Sequence, residues 1–284
     1  MTPLDNASRR QSLSLEARAW NIRRKALLMG EVQGQGYIGQ ALDVADILAA
    51  VFFHALEYRA EEPGWEGRDR FLLSVGHYAI ALYAALMEAG ILPEDELGTY
   101  GMDGSRLPMS GMASCTPGME ISGGSLGQGL GIGVGMALAL KRKRNPGRVY
   151  NLMSDGELGE GSTWEAVMSA AQWKLDNLVC IVDFNDQQAD GPTRAALAGG
   201  DEAAKWAAFG WHAQTVDGND VTAIADALDA ARNLQDEKPR VIIANTTLCR
   251  GVDFLELRER AHFVHVAPEE WCKALAALEE GRPV

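Results

Sequence analysis

Five short apolar runs, at residues 70–75, 149–153, 178–184, 211–216 and 240–245, set the frame of this chain. Between and around them lie longer stretches whose apolar residues recur at helical spacing. These cover 14–29, 42–56, 77–89, 127–144, 162–174, 221–234 and 268–280. A run such as Leu-Val-Cys-Ile-Val-Asp-Phe at 178–184 shows no polar alternation, so both of its faces must be covered. Apolar strands alternating with helices predict an α/β fold, a mostly parallel sheet with helices on both faces. No internal repeat and no low-complexity linker interrupts the pattern. It reads as one domain over 14–284, preceded by a flexible polar arm at 1–13.

Two of the strands end in turns that carry oxygen ligands. The run 149–153 leads into Ser154-Asp155-Gly156-Glu157, with a helical pattern after it. The run 178–184 ends in Asn185-Asp186-Gln187-Gln188-Ala189-Asp190-Gly191. In open α/β sheets the crevice beyond the carboxyl ends of the strands is where ligands bind. A helix that starts there offers free backbone N–H groups and a positive dipole end, both suited to phosphate. One carboxylate, one amide oxygen and one backbone carbonyl, completed by phosphate oxygens and water, make an octahedral Mg²⁺ site. Asp-Gly alone is more often a plain helix cap. Its pairing with Asn185 at a second strand end, thirty positions later, favours the ligand site.

The same residues resemble transketolases and the N-terminal subunits of split transketolases. That family carries G-D-G, followed about thirty residues later by D-x-N-x-x-x-x-D-G; here the counterparts are Ser154-Asp155-Gly156 and Asp183-Phe184-Asn185 through Asp190-Gly191. The segment 116–130, T-P-G-M-E-I-S-G-G-S-L-G-Q-G-L, is similar to the family's T-P-G-x-E-x-S-T-G-S-L-G-Q-G-L. Ser74-Val75-Gly76-His77 matches S-x-G-H, and 160–166 resembles E-G-x-x-W-E-A. The likeness runs through nearly all of 14–280. It implies the thiamine-diphosphate-binding fold, with thiamine diphosphate and Mg²⁺ (or another divalent cation) as cofactors. Asp155, Asn185 and the main-chain carbonyl of Gln187 would hold the metal. Ser154, Gly156, Glu157, Glu160, Asn185 and His77 would border the cofactor, with main-chain contacts at Gly124 and Leu126.

The resemblance also implies what is missing. Thiamine diphosphate does its carbanion chemistry through its ylid. In the family a Glu of a separate pyrimidine-binding domain moves the proton, and no such residue can be nominated here. The expected partner is therefore a C-terminal, pyrimidine-binding transketolase subunit that supplies the activating Glu, in an α2β2 heterotetramer. Glu160 and Glu165 would face it.

The histidines depart from the family on the substrate side. His77 stands in its motif, and an ungapped count from Gly251-Val252 places the W-H histidine at His262. The family's S-G-H-I-G becomes Gln35-Gly36-Tyr37-Ile38-Gly39, and the G-H-P after G-S-R-L becomes Met109-Ser110-Gly111. Tyr37 and Ser110 thus replace two substrate-side histidines. His54 and His212 read as structural.

The leading expectation is transfer of a two-carbon ketol unit between a ketose donor and an aldehyde acceptor. The altered histidines keep open a decarboxylating 2-oxo acid enzyme that transfers an acetyl-type group from a pyruvate-like donor. A third reading is a non-catalytic cofactor-binding subunit, against which intact Asp155 and Asn185 speak. The formal net charge of −13, with no basic run beyond 141–144, argues against nucleic acid and anionic membranes as partners. Four scattered cysteines without a C-x-x-C pair read as reduced thiols. With no signal-peptide pattern and no apolar stretch of about 20 residues, the expected location is the cytoplasm.

Overall fold

The computed structural model describes residues 13–197, 199–259 and 261–283. The expected arm at 1–13 lies outside these except for Leu13. Five parallel strands form the main sheet: β1 (Arg70–Leu73), β2 (Val149–Ser154), β3 (Leu178–Phe184), β6 (His212–Asp217) and β7 (Arg240–Asn245). Their order across the sheet is β1-β2-β3-β7-β6. A two-residue antiparallel ladder, β4 (Gln187–Gln188) with β5 (Gly191–Pro192), follows β3 directly.

Alternate strand residues divide between two cores, which is why the apolar runs are unbroken. Phe71, Leu73, Tyr150, Leu152, Val179, Ile181 and Ile242 face one cluster. It is built with α1 (Leu15–Gln33), α2 (Ile38–Asp43), α3 (Ala45–Ala50), α4 (Ala79–Glu88), α9 (Val221–Asn233) and α11 (Trp271–Glu280). Leu72, Val149, Leu178, Cys180, Val182 and Val241 face the other. That side is covered by α5 (Gly129–Arg142), α6 (Gly161–Gln172) and α8 (Glu202–Ala208). Two single-turn helices, α7 (Thr193–Ala196) and α10 (Asp253–Glu256), lie in the connections after β5 and β7.

Helix ends follow their local chemistry. Ser14 Oγ accepts from Ala17 N at 3.2 Å at the start of α1, and Gly34, at φ +66°, closes its other end. Asp220 caps α9 by accepting from Thr222 N and Ala223 N. The helix expected over 42–56 differs. The chain turns helical earlier, at Ile38, breaks at Val44 and ends in a π-helical turn at Val51–Ala55. Arg23 Nε donates to Leu42 O and Asn219 Nδ2 donates to Asp43 O, so these side chains occupy carbonyls at the break.

Candidate active site

Parallel pairing puts Ser154 of β2 opposite Asp183 of β3, so the two ligand-bearing turns leave the sheet side by side. Asp155 begins a 3-10 turn (Asp155–Gly159) and is buried. Its Oδ2 accepts from Thr193 Oγ1 at 2.6 Å. Burial pushes its carboxyl up to about 7, although the Thr193 bond works the other way. Asn185 is buried just beyond β3, and its Oδ1 accepts from Gln187 N at 3.0 Å. Asp186, at φ +58°, turns the chain between them. The expected metal ligands Asp155, Asn185 and Gln187 therefore lie at the ends of adjacent strands. A cavity of about 310 Å³ opens beside Asp155, lined also by Gly156, Glu160, Gln188, Thr193 and Lys205; Asn185 and Gln187 do not line it.

The Gly-rich segment is tied to this turn by Glu157, a fully buried residue. Glu157 Oε1 accepts from Ser74 Oγ at 2.5 Å and from Gly127 N at 2.8 Å, and Oε2 accepts from Ser154 N at 3.1 Å. Its carboxylate is thus spent on internal donors and joins β1, β2 and the loop. Gly76 and Gly123 cross in direct backbone contact, and a Cβ on either would enter the other's main chain. Gly124 is different: a Cβ there would meet nothing within 4 Å, so the protein's own packing does not demand glycine. Gly156 has only ordinary contacts around its Cβ position, at 3.7 Å or more. Leu126 is half-buried against the first core, while Glu160 and Glu165 are exposed.

Three of the residues expected on the substrate side, Tyr37, His77 and His262, also come together. The rings of Tyr37 and His77 are 4.5 Å apart, and His262 lies 5.9 Å from His77 and 6.2 Å from Tyr37. His262 Nδ1 sits 3.2 Å from Gln187 O and 3.1 Å from Gln40 Nε2. Burial lowers the His77 imidazole to about 4, reinforced by His262, and its Nε2 is buried without a hydrogen-bond partner among the described residues. Such a nitrogen is neutral and available to a ligand. Ser110 Oγ donates to Gly123 O at 3.3 Å, at the exposed edge of the Gly-rich loop.

Sequence patterns single out neither Asp43 nor Tyr78 at this site, and mark Asp183 only as a motif position without a role. Asp43 and Asp183 are fully buried acids beside Asn185, and Tyr78 OH donates to Asp183 Oδ2 at 2.8 Å. Thr246 Oγ1 donates to the other oxygen of Asp183. Burial raises Asp183 to about 6, against the hydrogen bonds it receives; burial and nearby Asp183 hold Asp43 well above the carboxylate range. The available signal was an acid inside an apolar run, at 43 and again at 183. Phe263, which is 65% exposed with its ring 5.4 Å from Tyr37, was also passed over.

Residues 16–274 match the family model described as transketolase, thiamine diphosphate binding domain. The chain belongs to the transketolase family. It is 63% identical over 270 residues to a transketolase family protein of Sinorhizobium fredii, covering 95% of this chain and 97% of that one. It is 40% identical over 256 residues to one of the subunits of apulose-4-phosphate transketolase from Actinobacillus succinogenes, covering 90% and 91%. The crystal structure of transketolase from Campylobacter jejuni superimposes with a TM-score of 0.85 at 30% identity. That match takes 94% of this chain but 42% of the longer transketolase. The relatives carry the names of transketolases, transketolase subunits or a transketolase family protein, and the matched domain is a thiamine diphosphate binding one; the acyl-transferring alternative gains no such support. No helix among the described residues is long and apolar enough to cross a membrane.

Proposed function

We propose that this transketolase-family chain is the diphosphate-binding subunit of a two-chain enzyme that moves a two-carbon ketol unit from a ketose to an aldehyde. The observation that carries the reading is the meeting of Asp155 with Asn185 and Gln187 at the ends of β2 and β3, beside the pinned Gly-rich loop. Asp155 Oδ, Asn185 Oδ1 and Gln187 O are hard oxygen donors suited to Mg²⁺. Among the described residues no group of three His, Cys, Asp or Glu side chains is arranged to hold a metal. The remaining positions fall to phosphate oxygens and water. The buried, raised carboxyls around Asn185 fit a place where a cation belongs.

Thiamine diphosphate, when bound, supplies the carbanion chemistry. In this reading the chain grips the diphosphate through Asp155, Asn185, Gln187 and the backbone at Gly156, with Ser154, Glu157 and Glu160 around the turn. Gly124 and Leu126 offer main-chain contacts, and the free nitrogen of His77 faces the cofactor. Tyr37, Ser110 and His262 border the substrate. The activating Glu comes from a pyrimidine-binding partner subunit, in a cytoplasmic α2β2 assembly; the naming of the Actinobacillus relative as one subunit among others supports a partner. Purifying the chain with and without its co-expressed partner, with thiamine diphosphate and Mg²⁺, tests this. Ketol transfer should need both chains and vanish with EDTA. Full turnover by the isolated chain would sink the two-chain reading.

A further inference from the structure

Asp43 sits where a carboxylate has little reason to be. It is the last residue of α2, at the helix end whose dipole disfavours an anion, and it is fully buried. Its closest ionisable neighbours include the acids Asp183 and Asp155. Its Oδ1 has no hydrogen-bond partner among the described residues. A buried acid in such surroundings lowers stability unless it does something for a neighbour.

The neighbour is Asn185. Its Nδ2 donates to Asp183 Oδ2 at 2.7 Å and lies 3.3 Å from both Asp43 Oδ2 and Tyr78 OH. The Tyr78 hydrogen is already given to Asp183, so the phenol offers only a lone pair. On the other side of the amide, Oδ1 takes the Gln187 N–H. If the amide were turned over, its oxygen would face two carboxyl groups and its NH₂ would face a backbone N–H. Only one of the two amide orientations satisfies these neighbours.

We propose that Asp43 is a positioning residue for the cation site: together with Asp183 it takes the Asn185 N–H groups and so keeps the amide oxygen on the cation's side. The inference rests on the assignment of Asn185 as a metal ligand under the proposed function. Partners of this kind, once removed, typically cost 10–100-fold in metal affinity.

The test uses the full chain co-purified with its partner. MgCl₂ is titrated in the presence of thiamine diphosphate, and cofactor binding is followed by tryptophan fluorescence rather than turnover. Asp43→Leu removes the acceptor outright while keeping bulk, and Asp43→Ser withdraws it, its hydroxyl being one bond too short to reach the same N–H, so the experiment survives if either fails to fold. Each should raise the half-saturating Mg²⁺ about tenfold or more. Asp43→Asn keeps an acceptor for the same N–H and should stay within about threefold of the parent, a far smaller loss than the 10–100-fold of a removed partner. Unchanged Mg²⁺ dependence in the Leu and Ser variants overturns the proposal, as does an equal loss in Asp43→Asn. Asp155→Ala separates the two levels. If it abolishes Mg²⁺-dependent binding while the Leu and Ser variants match the parent, the site stands and the positioning role is wrong. If it changes nothing, the site assignment falls and the inference falls with it.

Discussion

Ser74, one residue past β1, donates to Glu157, two residues past Asp155, at 2.5 Å. The same Glu157 oxygen holds the Gly127 N–H, so one buried carboxylate fastens two strand ends and the Gly-rich loop together. Glu157→Ala should therefore leave two or three buried donors without an acceptor, at about 1–3 kcal/mol each. We expect denaturant melts to show roughly 3 kcal/mol of lost stability, with cofactor binding weakened through the loop. Glu157→Gln keeps one acceptor oxygen and should lose about half as much. A stable alanine variant with normal cofactor affinity would show that the loop holds its place without this residue.

Thr193 reaches back across 38 positions to donate to Asp155. It is half-buried, and, with Asp155 as the proposed cation ligand, its hydroxyl would fix which carboxylate oxygen is left for the cation. Thr193→Val keeps the shape and removes the donor. Leaving the buried Asp155 oxygen without this donor should cost about 1–3 kcal/mol, while half-saturating Mg²⁺ should rise about tenfold or more. A melt shifted far more than the Mg²⁺ titration would assign Thr193 to the fold instead.

The two parts of this site were not equally legible from the chain. Strand ends, glycine turns and the Asp155–Asn185 spacing are local features, and unbroken apolar runs made all five strands visible. Asp43 and Thr193 reach the site only through tertiary contact, 142 and 38 positions from their partners, and no local pattern announces such pairings. The break in the helix at Val44 has the same origin, because Arg23 and Asn219 capture its carbonyls from distant segments. Periodicity reports which face of an element is apolar; it does not report which side chain from elsewhere will take a carbonyl.

Gly76 and Gly123 make a sharper test of the loop's seat. Their backbones touch, and neither has the positive φ that would itself require glycine. Gly76→Ala must separate β1's end from the Gly-rich loop, at an expected cost of about 1–3 kcal/mol or more for overpacking a rigid contact. The companion change Gly124→Ala meets no protein atom, so its melt should match the parent while thiamine diphosphate affinity drops. Equal effects of the two on stability would contradict the distinction.

His77 gives a pH dependence with a definite sign. Its imidazole falls from 6.5 to about 4 when buried, so the unfolded chain binds more protons than the folded one between those values. Unfolding free energy from this residue therefore rises with pH across the window and is lost as pH drops from 6.5 toward 4. The full contribution is about 3 kcal/mol. His77→Phe removes it, so the stability gap between parent and variant should shift in the parent's favour as pH is raised from about 4 to about 7. A gap that does not move with pH would mean His77 titrates normally. Buried Asp155 and Asp183 contribute with the opposite sign in both proteins, which is why the difference is the quantity to measure.

If Tyr37 and Ser110 border the substrate as proposed, they bear on the donor. Tyr37 sets its ring, tilted by 51°, 4.5 Å from His77 and meets the exposed ring of Phe263 edge-on, an aromatic surface to which Tyr37 brings one hydroxyl. Ser110 turns its hydroxyl back to Gly123 O rather than presenting an imidazole. Both changes reduce the hydrogen bonds available to a polyhydroxylated donor, and a site that loses a substrate hydroxyl contact discriminates strongly against that substrate. Tyr37→His and Ser110→His, alone and together, should therefore raise kcat/KM for fructose 6-phosphate relative to the parent's best donor, by about tenfold or more for the pair. Thiamine diphosphate affinity should stay level, because neither residue is proposed to grip the diphosphate. If the ratio of the two donors is the same in all four proteins, Tyr37 and Ser110 do not set donor choice, and selection then falls to the partner subunit's side of the crevice.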